Sequence, residues 1–151
     1  MHNPAQENER DATDWQKPLQ TAEAGVWDVL VVGAGPAGSF AAMLLAGRGY
    51  KVLMVDRELF PREKVCGDCL LEDVLVFLDR VDVLTDVRNA AFPISGITAV
   101  SPSGYEATIP GRHLTLRRRI FDTILVRRAV DVGVTFCRGD IRTLTNHNGP
   151  V

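Results

Sequence analysis

"DVLVVGAGPAGSFAAMLLAGRGYKVLMVD", Asp28 to Asp56, is the stretch on which the fold of this chain turns. Just upstream and at its start, "VWDVLVV" is a short β-branched apolar run ending in glycines, which suits a strand buried on both faces. Pro36 to Arg48 is rich in Ala and Leu and reads as a helix, with Gly49 as its stop. Lys51 to Val55, "KVLMV", is again a short buried strand. Strand, helix and strand in about 30 residues make a βαβ unit, whose strands are parallel and whose crossover is expected to be right-handed.

Between the first strand and the helix lies "GAGPAG", Gly33 to Gly38, which satisfies Gly-x-Gly-x-x-Gly. Alone the spacing is weak, because Gly and Ala are common. Its context, after a strand and at the start of a helix with an acid at the end of the second strand about 20 residues on, makes a dinucleotide fingerprint. In that reading Gly33 permits the tight turn, Gly35 lets the backbone approach a pyrophosphate, and Gly38 lets helix and strand pack closely. Pro36 and Ala37 open the helix, whose N-terminus presents N–H groups and a positive dipole end to the phosphates. Asp56 can accept hydrogen bonds from both hydroxyls of an adenosine ribose and would repel a 2′-phosphate. FAD or NAD is therefore favoured over NADP, although neighbouring Arg57 weakens that exclusion. The bland alternative is a Gly-rich turn that holds no ligand.

FAD and NAD share the signature, so the residues after Asp56 must discriminate between them. An NAD domain usually continues into another helix and parallel strand. This chain instead enters a loop fixed by Pro61, carries Arg62 and Lys64 towards phosphate reach, and arrives at Cys66 and Gly67.

The residues from Asp28 to Asp68 resemble the N-terminus of the geranylgeranyl reductase-like flavoproteins. These form a branch of the para-hydroxybenzoate hydroxylase-like FAD superfamily, which also includes flavin-dependent halogenases. "FPREKVCG", Phe60 to Gly67, is the more specific part of the resemblance. "RRRIFDTILVRRAVDVGV", from Arg117, is similar to the family's Arg-x-x-Phe-Asp-x-x-Leu-x-x-x-Ala-x-x-x-Gly helix. The resemblance implies an α/β, Rossmann-like FAD-binding βαβ domain with a small antiparallel strand insertion, incomplete relative to the family, which carries a second FAD motif and a substrate-binding sheet further on. It assigns Gly33, Gly35 and Gly38 to the turn under the pyrophosphate and Asp56 to the ribose. Arg118, with Arg117 as its neighbour in register, matches an arginine near the phosphates and ribityl chain. Ile141 falls where a strand backbone meets the adenine, and Cys66 and Gly67 lie beside the flavin ring. The family often continues with a further glycine where this chain has Asp68 and Cys69, which makes a Cys-x-x-Cys. Cys69 reads either as a small buried residue at a helix start or as half of a redox pair.

The resemblance further implies reduction of a carbon–carbon double bond in a prenyl or lipid-like substrate, with NAD(P)H as a candidate reductant. Flavin-dependent oxygenation or halogenation competes with it, and a non-catalytic nucleotide-binding remnant is the alternative from a different class. No catalytic proton donor can be named.

The remaining sequence is less specific. The first 25 residues are polar and interrupted by Pro4 and Pro18, so they read as a flexible tail with Trp15 as a candidate docking point, followed by the FAD-binding domain over 26–151. Leu70 to Leu78 has the spacing of a largely buried helix. "ISGITAVSPSGYEATIP", from Ile94, reads as two antiparallel strands and a tight turn. Phe121, Ile124, Leu125, Ala129 and Val132 line one helix face, with Arg127, Arg128 and Asp131 opposite and Gly133 as the stop. A strand is expected at Val134 to Cys137 and the start of another near Ile141. His2, His113 and His147 all read as solvated. A net charge of −2 and arginines without interleaved aromatics exclude a nucleic-acid face. An odd count of 3 cysteines and the lack of a secretory signal point to a reducing, cytoplasmic setting without a disulfide framework. Apolar runs are too short for a transmembrane span, and no metal-ligand set is visible.

Overall fold

A computed structural model describes residues 15–146 and 149–150. The βαβ unit forms as expected: β2 (Val29–Val32) and β3 (Val52–Asp56) are parallel, and α2 (Pro36–Ala46) connects them. Two further strands, β1 (Gln16–Pro18) and β7 (Thr135–Arg138), extend the sheet in the order β1-β7-β3-β2, and every neighbouring pair is parallel. A short α1 (Gln20–Glu23) leads from β1 towards β2.

The period-2 alternation of β3 sends its side chains into two different clusters. Val52 and Met54 join the large core with Phe136 and with residues of α2 and of α5 (Arg118–Asp131), among them Ala42, Met43, Phe121, Leu125 and Ala129. Leu53 and Val55 face the other way, onto Cys137, Leu19, Trp27 and Ile141. Full burial of such side chains contributes about 1.5–3 kcal/mol each, so β3, buried from Val52 to Val55, anchors the sheet. Edge strand β2 differs from the expectation. Val29 and Val31 pack on the core, but Leu30 and Val32 are 38% and 55% exposed, so only one of its faces is buried.

After β3 the chain runs through the loop to β4 (Cys69–Leu70), α3 (Glu72–Arg80), α4 (Leu84–Ala90) and the long hairpin β5 (Phe92–Val100) and β6 (Glu106–Thr115). The hairpin matches the sequence reading, and β4 adds a third antiparallel strand to it at Cys69↔Thr115. The helix expected over 70–78 therefore starts later, because Leu70 is used as a strand residue, and α4 carried no sequence signal of its own. A two-stranded β8 (Thr145–Asn146) and β9 (Gly149–Pro150) closes the described chain.

Four further expectations are corrected. The segment expected as a tail is structured from Trp15: β1 pairs with β7, and the Trp15 ring stacks on Phe136 at 5.8 Å and meets Phe60 edge-on at 6.4 Å. Aromatic packing of this kind offsets the ordering cost that the polar composition suggested. His113 is buried, not solvated, and its Nδ1 accepts a hydrogen bond from the Glu72 backbone N–H at 3.2 Å. Ile141 lies outside any strand, and its side chain instead packs on the small cluster around Leu53 and Val55. His2 and His147 lie outside the described residues. Arg128, read as solvated, spans to the α3–α4 corner, with Nε on Val81 O at 3.0 Å and Nη2 on Asp82 Oδ2 at 2.8 Å. Among the described residues no helix is long and apolar enough to cross a membrane.

Candidate functional site

The site is built at the C-terminal ends of β2 and β3, where an open parallel sheet presents its loops. Gly33 leaves β2 with φ +99°, a left-handed conformation that L side chains rarely adopt, and its N–H bonds Val55 O at 2.7 Å. Gly35 is the N-cap of α2 and Pro36 occupies the first turn, where its missing N–H costs nothing. A Cβ on Gly38 would fall inside the van der Waals envelope of Gly33 O and within 3.3 Å of Val31 Cγ1. The glycine thus allows helix and strand to touch.

Asp56 closes one end of the turn. Its Oδ2 accepts from the Ala34 N–H at 2.8 Å and its Oδ1 from the Glu58 N–H at 2.9 Å. Each carboxylate oxygen keeps a second lone pair, so both remain able to accept from a ribose. Arg57 is exposed and pairs with neighbouring Glu58 at 3.3 Å.

Past the cis Phe60–Pro61 peptide, Arg62 turns inward. Its guanidinium lies over the Phe60 ring at 4.9 Å, and Nη2 pairs with Asp122 Oδ2 at 3.0 Å. Arg118, at the start of α5, grips the same carboxylate in a fork, Nε to Oδ1 at 2.7 Å and Nη2 to Oδ2 at 2.9 Å. Asp122 is fully buried, and its hydrogen bonds raise the Arg118 pKa above its already high ordinary value. Two guanidiniums on one carboxylate leave a net positive charge, and both approach the helix N-terminus. A Cβ on Gly35 would lie 3.6 Å from Arg62 Nη2 and 3.7 Å from Arg118 Nη2. Arg62 Nη1 is buried and has no hydrogen-bond partner among the described residues. An orphaned cationic donor beside a helix N-terminus fits an anion such as a pyrophosphate.

A groove of about 650 Å³, lined mostly by apolar side chains, runs from this point. It brings Pro36 and Ala37 together with Arg118, Cys66, Cys69 and Phe77. Gly67 beside them is open, with nothing within 4 Å of a Cβ position. The backbone N–H of Asp68, and after it the Arg118 guanidinium, hold the Cys66 thiol below the usual cysteine range. Ile141 is not among the groove residues.

Two functional residues escaped the sequence reading. The signal that could have found Asp122 is an acid set between Phe121 and Leu125, two residues of the buried helix face, but its role needed the two arginines. Gln16 had no signal. Its buried side-chain amide donates to Glu58 O at 2.8 Å and accepts from Phe60 N–H at 2.9 Å, so β1 clamps the loop that carries Arg62. Gln16→Ala should leave both backbone groups unpaired and lower stability by about 1–3 kcal/mol, read from the urea midpoint. A loss below a few tenths would show that the clamp does not hold the loop.

Residues 26–148 match the model of the FAD binding domain family. A flavin-dependent halogenase of Armillaria mellea is 31% identical over 132 residues, which cover 82% of this chain and 25% of the halogenase. A digeranylgeranylglycerophospholipid reductase of Methanopyrus kandleri is 37% identical over 108 residues, covering 71% of this chain and 26% of the reductase. The solved structure of a flavin-dependent brominase superposes with a TM-score of 0.72 at 27% identity, over 83% of this chain and 32% of the brominase. The chain thus spans about a quarter to a third of the length of these relatives.

Proposed function

The chain belongs to the FAD binding domain family, and from that premise we propose that its Gly-rich turn, Asp56, Arg62 and Arg118 hold FAD for an oxidoreductase that reduces carbon–carbon double bonds of a prenyl or lipid-like substrate. The observation that carries the cofactor assignment is the arginine pair on Asp122 beside Gly35, with one buried guanidinium nitrogen awaiting an acceptor. Arg62 and Arg118 would take the pyrophosphate together with the first-turn N–H groups of α2, and Asp56 the adenosine ribose. Cys66 and Gly67 would stand at the flavin end. When bound, FAD supplies hydride transfer, with NAD(P)H as the source of electrons. The chain's own residues bind and orient it, and the mostly apolar groove lowers the local dielectric beside Cys66 and Arg118.

The reductase reading is supported by the Phe60–Gly67 segment and by the match to the archaeal lipid reductase. A second reading, flavin-dependent halogenation, is supported by the fungal halogenase and by the brominase superposition. Assayed in the full polypeptide that carries this domain, the first predicts saturation of a prenyl double bond under anaerobic conditions with reduced flavin. Incorporation of bromide into an aromatic acceptor, dependent on oxygen, would favour the second.

The cofactor site is tested in the chain itself. Titrated FAD should raise the thermal midpoint, and Asp56→Ala should weaken binding about 10–100-fold, the loss of hydrogen bonds to a charged acceptor. An unchanged FAD affinity in a folded Asp56→Ala protein would remove Asp56 from the site.

A further inference from the structure

We propose that Cys66 and Cys69 form a peroxide-sensitive dithiol that closes into a reversible intrachain disulfide. The two sulfurs are set apart from the third cysteine by exposure: Cys66 and Cys69 are exposed on the rim of one groove, whereas Cys137 is fully buried in β7. They are also set apart from each other by surroundings. The Asp68 backbone N–H and the Arg118 guanidinium favour the Cys66 thiolate, while the Asp68 carboxylate opposes them, and the thiol is held below its ordinary value. The thiolate is the nucleophilic form. Cys69 begins β4, held in register against Thr115, so it is the fixed partner to which the Cys66 sulfur closes.

The intervening residues are built for such a closure. Asp68 has φ +54°, a left-handed conformation that Asp tolerates better than most residues. Gly67 meets no atom within 4 Å of a Cβ position, so the turn can adjust towards the short Cα separation a disulfide needs without displacing a neighbour.

With hydrogen peroxide as oxidant the chemistry balances. The Cys66 thiolate attacks one peroxide oxygen, the O–O bond breaks, and a sulfenic acid forms while hydroxide leaves and is protonated to water. The Cys69 sulfur then attacks that of Cys66: the S–S bond forms, the S–O bond breaks, and the departing hydroxide takes the Cys69 proton. Two thiols are oxidised by two electrons and one peroxide becomes two waters. A dithiol reductant reverses the step by exchange. The inference does not rest on flavin being bound.

The test uses the purified chain without added FAD, exposed to equimolar hydrogen peroxide and followed by intact mass and dimedone trapping. The wild type and Cys137→Ser should lose the mass of two hydrogen atoms as monomers and regain it with dithiothreitol. Cys69→Ser should stop at a dimedone-reactive sulfenic acid on Cys66, and Cys66→Ser should show neither product at the same dose. Sulfinic acid or an intermolecular dimer as the main wild-type product, or oxidation of Cys66→Ser at the wild-type rate, would overturn the proposal. Loss of the two hydrogens in Cys69→Ser would do so as well, because it would place the bond elsewhere.

Discussion

Asp122→Ala should cost about 3–5 kcal/mol of folding stability, because it leaves two largely buried guanidiniums facing one another without their shared carboxylate. The Arg62 and Arg118 side chains are only 11% and 17% exposed, so water can replace little of what Asp122 provides. The urea midpoint should fall with an unchanged slope, the mark of lost stability rather than a changed unfolded state. FAD affinity should fall too, by a different route, since Arg118 would lose the fork that fixes its Nη2 against Gly35. Asp122→Asn separates the two effects: the amide keeps the size and one acceptor oxygen but not the charge, and should fold better than the alanine variant while still binding FAD poorly. A stability loss below about 1 kcal/mol for Asp122→Ala would mean that solvent reaches the arginines and that the triad is a surface pair in energetic terms.

That triad also marks where sequence reading stops. The βαβ unit was legible because its signals are local: apolar runs of strand length, Gly33 to Gly38 between them, and Asp56 at the second strand's end. The hairpin from Phe92 to Thr115 and the helix from Arg118 were legible for the same reason, through period and turn residues. Arg62 and Asp122 are far apart in the chain and meet only because α5 packs against α2 over β3. Arg62 was visible alone as a candidate phosphate contact and Asp122 was not singled out, because nothing local couples them. Gln16 is the harder case. Its three-residue strand has no period to detect, and its amide substitutes for backbone pairing to residues 58 and 60. Charge and proline count described a segment with little apolar surface, yet from Trp15 onward one stacked tryptophan and one buried amide tie the chain to the sheet. The exposed Leu30 and Val32 show the converse, since an apolar run reports that a strand can be buried and not that both faces are.

Gly38→Ala should cost about 3 kcal/mol or more and abolish measurable FAD binding, because the nearest atoms to the added methyl belong to backbone that cannot turn aside as a flexible side chain could. Its obstacle is backbone: the Gly33 carbonyl oxygen occupies the place, with Gly33 C at 3.1 Å behind it. To make room, α2 must withdraw from β2, and the Gly33 turn is held by its own N–H on Val55 O and by Ala34 N–H on Asp56, so the strain spreads into both ends of the cofactor site. Two neighbouring glycines supply the contrast. Gly67→Ala enters open space and should be close to neutral in stability. Gly35→Ala meets only the Arg62 and Arg118 nitrogens at ordinary contact distance, at a φ of −74° that alanine adopts freely, so the protein should fold. Its methyl would nevertheless stand in the place a pyrophosphate needs for close backbone approach, and FAD affinity should fall at least tenfold by titration calorimetry. A Gly35→Ala protein that binds FAD normally would move the phosphates away from the arginine pair, whatever Gly38→Ala does to the fold.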